Sequence, residues 1–178
     1  ATAVKQKLDE RFPGKISDAQ LDVVDPFLVV EKDAIVEMAT FLRDQPELAF
    51  DTLHCHSAVD YPKDERIEIV LHLSSLKHRH WIVLKVHVQR NEPKMPTLEK
   101  VWPTANWHER EAWEMFGISF QGHPNQVHIY LPSHFEGNPL RKDYPLLARR
   151  VKPWPGIVDV ELMPGGDDDD AEGSDGED

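Results

Sequence analysis

RIEIVLHLSSLKHRHWIVLKVHVQ, residues 66–89, contains two runs in which aliphatic residues occupy every second position. The first run extends from Ile67 to Leu73, and the second extends from Ile82 to Val88. Successive side chains of a strand point to opposite faces, so this alternation predicts two strands that each bury one face. The other face of both strands is more polar, which is typical of a sheet covered on one side.

Further strands are predicted on the N-terminal side of this stretch. Residues 51–61 are extended in character, and Tyr-Pro-Lys-Asp at 61–64 predicts a turn into the next strand. Short links between the three strands favour antiparallel pairing. Two shorter strands are predicted at 20–24 and 27–31, on either side of Asp25-Pro26.

Helices are predicted before and between these strands. Val4, Leu8 and Phe12 recur at a spacing of four, which indicates a helix that ends near Pro13-Gly14. Asp33 is a candidate cap for a second helix, which ends before Gln45-Pro46. The apolar stripe of this second helix consists of Ile35, Met38, Ala39 and Leu42.

A third helix is predicted over residues 107–116, within NWHEREAWEMFG. Asn106 is a good N-cap, Glu109 stands where a capping box places its acid, and Gly117 stands at the C′ position. Arg110 lies in the first turn, where the helix dipole disfavours a cation. We therefore expect a partner for Arg110, either Asp143 or an acid on another chain, since pairing with Glu114 has the weaker orientation.

These elements predict an α+β fold in the order α-β(2)-α-β(3)-α. The sheet is expected to be mixed and mainly antiparallel, with helices on one face, and an extended C-terminal arm follows it. We predict an α+β domain at 1–120, an arm at 121–163 that docks on a partner subunit, and a disordered acidic tail at 164–178. The prediction of an arm follows from its repeated prolines and its lack of periodicity.

Composition excludes several functional classes. The net charge is −12 and is concentrated in the tail, so the chain is not expected to bind nucleic acid. Cys55 is the only cysteine, which excludes a cysteine-ligated cluster on this chain and favours a reducing compartment. No apolar run reaches the roughly 18–20 residues of a membrane-spanning helix. The nucleotide-binding glycine motifs and the G-x-S-x-G elbow are absent as well.

A metal site is the alternative from a different class. His54 and His56 would lie on one face of a strand, and His72, His78, His80 or His87 could add a ligand. A His-rich metal-binding domain or hydrolase is therefore an alternative function. A zinc-protease site at His108-Glu109 is excluded, because Ala112 stands where the second histidine is required.

The third helix and the residues after it also resemble a known family. The pattern consists of Glu109-Arg110-Glu111, Glu114, Met115-Phe116 and His123, followed by GNPLRKDYPL at 137–146. It is similar to the 30 kDa subunit (the C subunit) of respiratory complex I, NADH:quinone oxidoreductase, and of related membrane complexes. Val127 departs from the family pattern, which usually has Arg, Lys or Pro there, so we expect a different contact at this position.

The resemblance implies an α+β subunit of the peripheral arm that has no cofactor and no catalytic residues of its own. Iron–sulfur clusters, FMN, NADH and quinone would be bound by other subunits of the proton-translocating enzyme. The partners would be the quinone-site subunit (the forty-nine-kilodalton subunit of the complex) and neighbouring iron–sulfur subunits. The resemblance places them on the cytoplasmic or matrix side, with membrane contact only through the complex. Ferredoxin-, coenzyme F420- and hydrogenase-linked complexes have similar subunits and remain alternatives.

The resemblance also supplies candidate interface residues. Trp107, Trp113 and Phe116 are expected to pack the helix against the sheet or the arm, with Arg110 and Glu111 in charge pairs. The full interface and signature set is Trp107, Glu109, Arg110, Glu111, Trp113, Phe116, Gly117, His123, Arg141, Lys142, Asp143 and Tyr144.

Overall fold

The computed structural model of the protein describes residues 1–145 of the 178. Within these residues there are three α-helices, seven strands and two short 3-10 helices. The α-helices are α1 (Thr2–Arg11), α2 (Ile35–Asp44) and α3 (Ala105–Phe116). The strands are β1 (Ile16–Gln20), β2 (Phe27–Val30), β3 (Thr52–Tyr61), β4 (Arg66–Ser75), β5 (His80–Gln89), β6 (Lys94–Pro96) and β7 (Ser119–Gln121).

Five of the strands form one sheet in the order β1-β2-β5-β4-β3. The β2–β5 pair is parallel, and the other three pairs are antiparallel. The predicted mixed, mainly antiparallel sheet is therefore confirmed. The parallel pair arises because α2 and two strands separate β2 from β5 in the chain, whereas β3, β4 and β5 are joined by short links.

The alternation in residues 66–89 sets the register of the two central strands. Ile67 lies opposite Val88, and Leu73 lies opposite Ile82, so both apolar rows face the same side. The rows are buried: Ile67, Leu73 and Ile82 are at most 1% exposed. A one-residue slip would turn both rows outward, so the apolar pattern specifies this register.

The helices supply the other half of the core. Val4 and Leu8 of α1 and Phe116 of α3 belong to the same apolar cluster as the inward rows of β4 and β5. The predicted stripe of α2 is confirmed as fully buried. Its members Ile35, Met38, Ala39 and Leu42 are all 0% exposed.

Two local predictions on the N-terminal side were wrong. The first short strand was expected at 20–24 but lies earlier, as β1. Gln20, its last residue, pairs with Phe27, and residues 21–26 reverse the chain. Asp33 does not cap α2, since it lies in a 3-10 turn that leads into the helix at Ile35.

The residues from 122 to 145 contain no helix or strand and run back along α3. We call them the 122–145 segment, and they are the described part of the predicted arm. The rest of that arm and the predicted acidic tail lie outside the described residues. No helix among residues 1–145 is long and apolar enough to cross a membrane.

Candidate functional site

Helix α3 begins earlier than its sequence signals predict. It starts at Ala105, with Thr104 in the N-cap position and no side-chain cap hydrogen bond. The predicted cap by Asn106 and the predicted capping box by Glu109 were therefore wrong. Residues 98–105 already wind into turns closed by backbone bonds such as Ala105 N–H to the Trp102 carbonyl, so the helix needs no side-chain cap.

Glu109 instead stabilises the loop that precedes its helix. Its carboxyl group is fully buried and accepts hydrogen bonds from the Leu98 N–H at 2.6 Å and from the Thr97 hydroxyl at 2.5 Å. No cation pairs with it among the described residues, so burial raises the pKa of Glu109 from 4.5 to about 7. Glu99 also raises this pKa, whereas the two donors lower it.

We expect Glu109→Gln to gain stability relative to the wild type as the pH rises. The raised folded-state pKa means that the carboxyl stabilises the protein below about pH 4.5 and loses this contribution as the pH rises through 7. The difference amounts to about 3 kcal/mol between pH 4.5 and 8. Urea unfolding across this range measures it. Thr97→Val removes one donor and should move the transition to higher pH, and parallel profiles for all three proteins would contradict the assignment.

The C-terminus of α3 ends as predicted at Gly117. This residue has a φ of 75°, in the left-handed region, and its N–H donates to the Trp113 carbonyl at 2.8 Å. The 122–145 segment approaches the glycine closely, since a Cβ here would lie 2.7 Å from the Asn138 Oδ1 and 3.2 Å from an Arg141 nitrogen. Glycine is therefore required both by conformation and by contact.

We expect Gly117→Ala to destabilise the chain by about 1–3 kcal/mol. Gly14→Ala is the matched control, because Gly14 has a φ of 74° but no atom within 4 Å of its would-be Cβ. The control isolates the backbone strain, and the excess loss in Gly117→Ala measures the clash with the 122–145 segment. If both variants lose the same free energy of unfolding in chemical denaturation, the 122–145 segment moves away from the added methyl group without loss of stability.

The apolar side chains of α3 divide between the core and the surface. Phe116 is 6% exposed, and Trp113 packs partly buried against the core with its ring 5.0 Å from that of His128. The expectation that Trp107 packs the helix against the sheet or the arm was wrong, because its side chain is 63% exposed. Ala105 and Ala112 face inward in its place, at 0% and 2% exposure.

Arg110 has no acidic partner among the described residues, and Asp143 pairs with Arg90 instead. Of the two expected partners Asp143 was therefore wrong, and an acid on another chain stays a prediction. The Arg110 guanidinium donates to the carbonyl oxygens of Val127 at 3.0 Å and His128 at 3.4 Å. The same group lies 5.2 Å from the centre of the Trp107 ring. Arg110 therefore binds the 122–145 segment through its backbone.

Glu114 makes three hydrogen bonds between α3 and the 122–145 segment, which the sequence did not predict. Its buried carboxylate accepts the N–H groups of three successive residues, Ile129, Tyr130 and Leu131. These bonds, with His128, keep the pKa of Glu114 below its usual value although burial opposes them. The sequence did contain one indication of this contact, namely an acid on the polar side of a predicted helix that is followed by an irregular segment.

The end of the 122–145 segment is held by the sheet. Asp60 of β3 is buried and accepts hydrogen bonds from the Arg90 guanidinium at 2.7 and 3.0 Å and from the Lys142 N–H at 2.9 Å. Asp143 pairs with the same guanidinium at 2.8 Å. Asp60 and Asp143 together raise the pKa of Arg90. The hydrogen bonds from Arg90 in turn lower the pKa of Asp60.

Other predicted site residues have simpler environments. Arg141 donates to the Phe116 carbonyl at 2.7 Å, and Tyr144 stacks on Phe135 with ring centres 6.1 Å apart. His123 bonds the Asn106 carbonyl at 3.3 Å. Glu111 forms no ion pair with any described residue, so its predicted charge pairing is not found in residues 1–145.

The two histidines of the metal alternative do not share a face. A register shift between Leu53 and Cys55 breaks the alternation of β3, so the prediction from simple spacing was wrong. His54 is exposed and bonds Ser74, whereas His56 is 1% exposed with its ring 5.3 Å from that of Phe120. Within residues 1–145, no three His, Cys, Asp or Glu side chains are grouped to hold a metal ion.

Comparison with known proteins places this arrangement in a family. Residues 28–150 match the family model described as respiratory-chain NADH dehydrogenase, 30 Kd subunit. The chain belongs to this family. The C subunit of NADH-quinone oxidoreductase from Roseiflexus castenholzii is 49% identical over 123 residues, covering 68% of this chain and 71% of the relative. The protein of the same description from Chlorobium phaeobacteroides is 41% identical over 146 residues, covering 81% and 88%.

Solved structures agree with the fold of this family. A trypsin-resistant fragment of Nqo5 matches with a TM-score of 0.57 and 26% identity, over 68% of this chain and 98% of the fragment. A chain of the membrane-bound sulfane sulfur reductase, an archaeal respiratory membrane complex, matches with a TM-score of 0.70. This second match covers 88% of this chain and 98% of the other at 21% identity, and it shows the fold alone.

The residues that carry the resemblance from Glu109 to Glu114 lie where α3 meets the preceding loop and the 122–145 segment. Glu109 holds the loop before the helix, while Arg110 and Glu114 hold the segment beside it. The departure at Val127 has a structural explanation. The Val127 carbonyl makes the contact with Arg110, and the side chain is 44% exposed, so this contact does not depend on the residue type.

Proposed function

We propose that the chain is a cofactor-free scaffold subunit in the peripheral arm of a proton-translocating NADH:quinone oxidoreductase, where it docks on the quinone-site subunit. The observation that carries the proposal is the family match over residues 28–150, together with relatives that are C subunits of NADH-quinone oxidoreductase. Electron transfer would then take place on other chains, which bind NADH, FMN, iron–sulfur clusters and quinone.

The described structure is consistent with a scaffold. Three buried acids, Asp60, Glu109 and Glu114, each accept hydrogen bonds that hold loops or the 122–145 segment in place. Buried polar groups that are hydrogen-bonded in this way hold backbone in place, which supports a scaffold role. We place the chain on the cytoplasmic or matrix side, in contact with the membrane only through the complex.

Affinity capture tests the partners. The full chain is tagged in its native membranes, extracted with a mild detergent, and the proteins recovered with it are identified by mass spectrometry. A quinone-site subunit together with iron–sulfur and membrane subunits is the expected result. Subunits that bind ferredoxin, coenzyme F420 or hydrogen in place of NADH would revise the donor, and recovery of the chain alone would refute the proposal.

The cofactor-free assignment has its own test. Metal analysis and an absorption spectrum of the purified full chain are expected to show neither stoichiometric metal nor a flavin or iron–sulfur band. One equivalent of bound metal that is lost in His54→Ala or His56→Ala would overturn this part of the proposal. It would favour the alternative of a His-rich metal-binding domain.

A further inference from the structure

The 122–145 segment is held to the protein in a different way from the helices and the sheet. None of its residues is buried, and none of its side chains belongs to the apolar core of the described structure. Its attachment therefore depends on hydrogen bonds and ion pairs, and each of these contributes little to stability once water is taken into account. A segment with few buried apolar contacts is expected to open at a lower free-energy cost than the core.

The segment supplies partners to the C-terminal end of α3. The last four carbonyl groups of an α-helix have no partner within the helix. In α3 the Gly117 N–H bonds the first of these four, on Trp113. The other three accept hydrogen bonds from the segment: Glu114 from the Asn138 side chain at 3.0 Å, Met115 from the Leu140 N–H at 3.1 Å, and Phe116 from the Arg141 guanidinium at 2.7 Å.

Glu114 connects the two parts of the segment. Its carboxylate accepts the N–H groups of residues 129–131, and its backbone carbonyl accepts the Asn138 side chain. The Glu114 side chain is 0% exposed, so water reaches this carboxylate only after the segment moves away. Release of residues 129–131 would therefore disturb the same residue of α3 that holds Asn138.

We propose that the 122–145 segment is a strap that opens as one unit while the sheet and α3 stay folded. Opening would break the bonds at Glu114, at the last carbonyl groups of α3 and at Asp60, where water would take the place of the segment. Helix α3 would remain on the sheet, because Ala112 and Phe116 are buried in the core. This conformational change is a property of the chain itself and does not depend on the proposed function.

Hydrogen exchange of the purified full chain, measured residue by residue by mass spectrometry at urea concentrations below the unfolding transition, tests the proposal. The informative N–H groups are those of residues 129–131, Leu140 and Lys142, one for each attachment of the strap. We expect them to share one protection factor, about tenfold or more below that of β4 and β5. Protection equal to that of β4 and β5 would show that the segment opens only when the whole chain unfolds, and would overturn the proposal.

A pair of substitutions in α3 tests whether the strap is one unit. Glu114→Gln keeps the shape of the side chain but removes the charge that accepts three N–H groups, so it should lower protection about tenfold. The loss should extend from residues 129–131 to Leu140 and Lys142, while β4 and β5 stay unchanged. Glu111→Gln is the matched control, because Glu111 forms no ion pair with any described residue, and it should change none of these rates.

Two results with Glu114→Gln would contradict the proposal. A loss of protection confined to residues 129–131 would show that the parts of the segment open separately. A parallel loss in β4 and β5 would show that the segment unfolds together with the core.

Discussion

Replacing Arg90 with alanine is expected to lower the melting temperature of the chain by about 6–12 °C. The reason is the carboxylate that it would leave behind. Asp60 is 4% exposed, and its only cationic partner within hydrogen-bonding distance in the described structure is Arg90. Removing one member of a buried pair leaves an uncompensated charge and costs about 3 kcal/mol or more.

The same change should loosen the end of the 122–145 segment. Arg90 also pairs with Asp143, and Asp60 accepts the Lys142 N–H. Both contacts of the end of the segment therefore depend on the pair of Arg90 and Asp60. Trypsin cleaves after Lys and Arg, and cleavage at Arg141 and Lys142 should therefore be faster in Arg90→Ala. Limited proteolysis followed by mass spectrometry measures this rate.

An exposed ion pair provides the control for Arg90. Lys94 pairs with Glu92 on the surface, where their side chains are 46% and 70% exposed. Exposed pairs contribute little, so Lys94→Ala should leave the melting temperature unchanged. A drop in Lys94→Ala as large as that in Arg90→Ala would mean that burial of Asp60 is not the cause.

The sheet could be predicted because its information is local. Aliphatic residues at every second position from Ile67 to Leu73 and from Ile82 to Val88 specify both the strands and the buried face. The stripe of α2 and the glycine at the end of α3 are local signals of the same kind. The bulge near His54 is not, because a register shift depends on how the partner strand β4 pairs.

The candidate site was harder to predict because its contacts join distant residues. Glu109 was expected to cap its own helix, yet it bonds Leu98 in the preceding loop. Arg110 was expected to bind Asp143 or an acid on another chain, and within the described residues it bonds backbone carbonyls 17 and 18 residues away. The pairing of Asp60 with Arg90 spans 30 residues. A sequence shows which polar residues need partners, but only the packing of the sheet and the 122–145 segment shows which partners they find.

His56 is expected to be a pH-dependent weak point of the fold. Both of its ring nitrogens are buried, and neither has a hydrogen-bond partner within the described structure. A buried polar group without a partner costs about 1–3 kcal/mol, so His56→Leu should be more stable than the wild type at pH 7 by about this amount.

The advantage of His56→Leu should grow as the pH falls. Burial, with a smaller effect from His108, lowers the pKa of His56 from 6.5 to about 3. Between these values the unfolded chain binds a proton that the folded chain does not, so the wild type loses stability with falling pH by up to about 1.4 kcal/mol per unit. His56→Gln should remove this slope without the gain at pH 7, because its amide still buries polar atoms. Urea unfolding of the three proteins from pH 4 to 7 separates the two effects, and a variant profile parallel to that of the wild type would show that His56 is protonated within the fold.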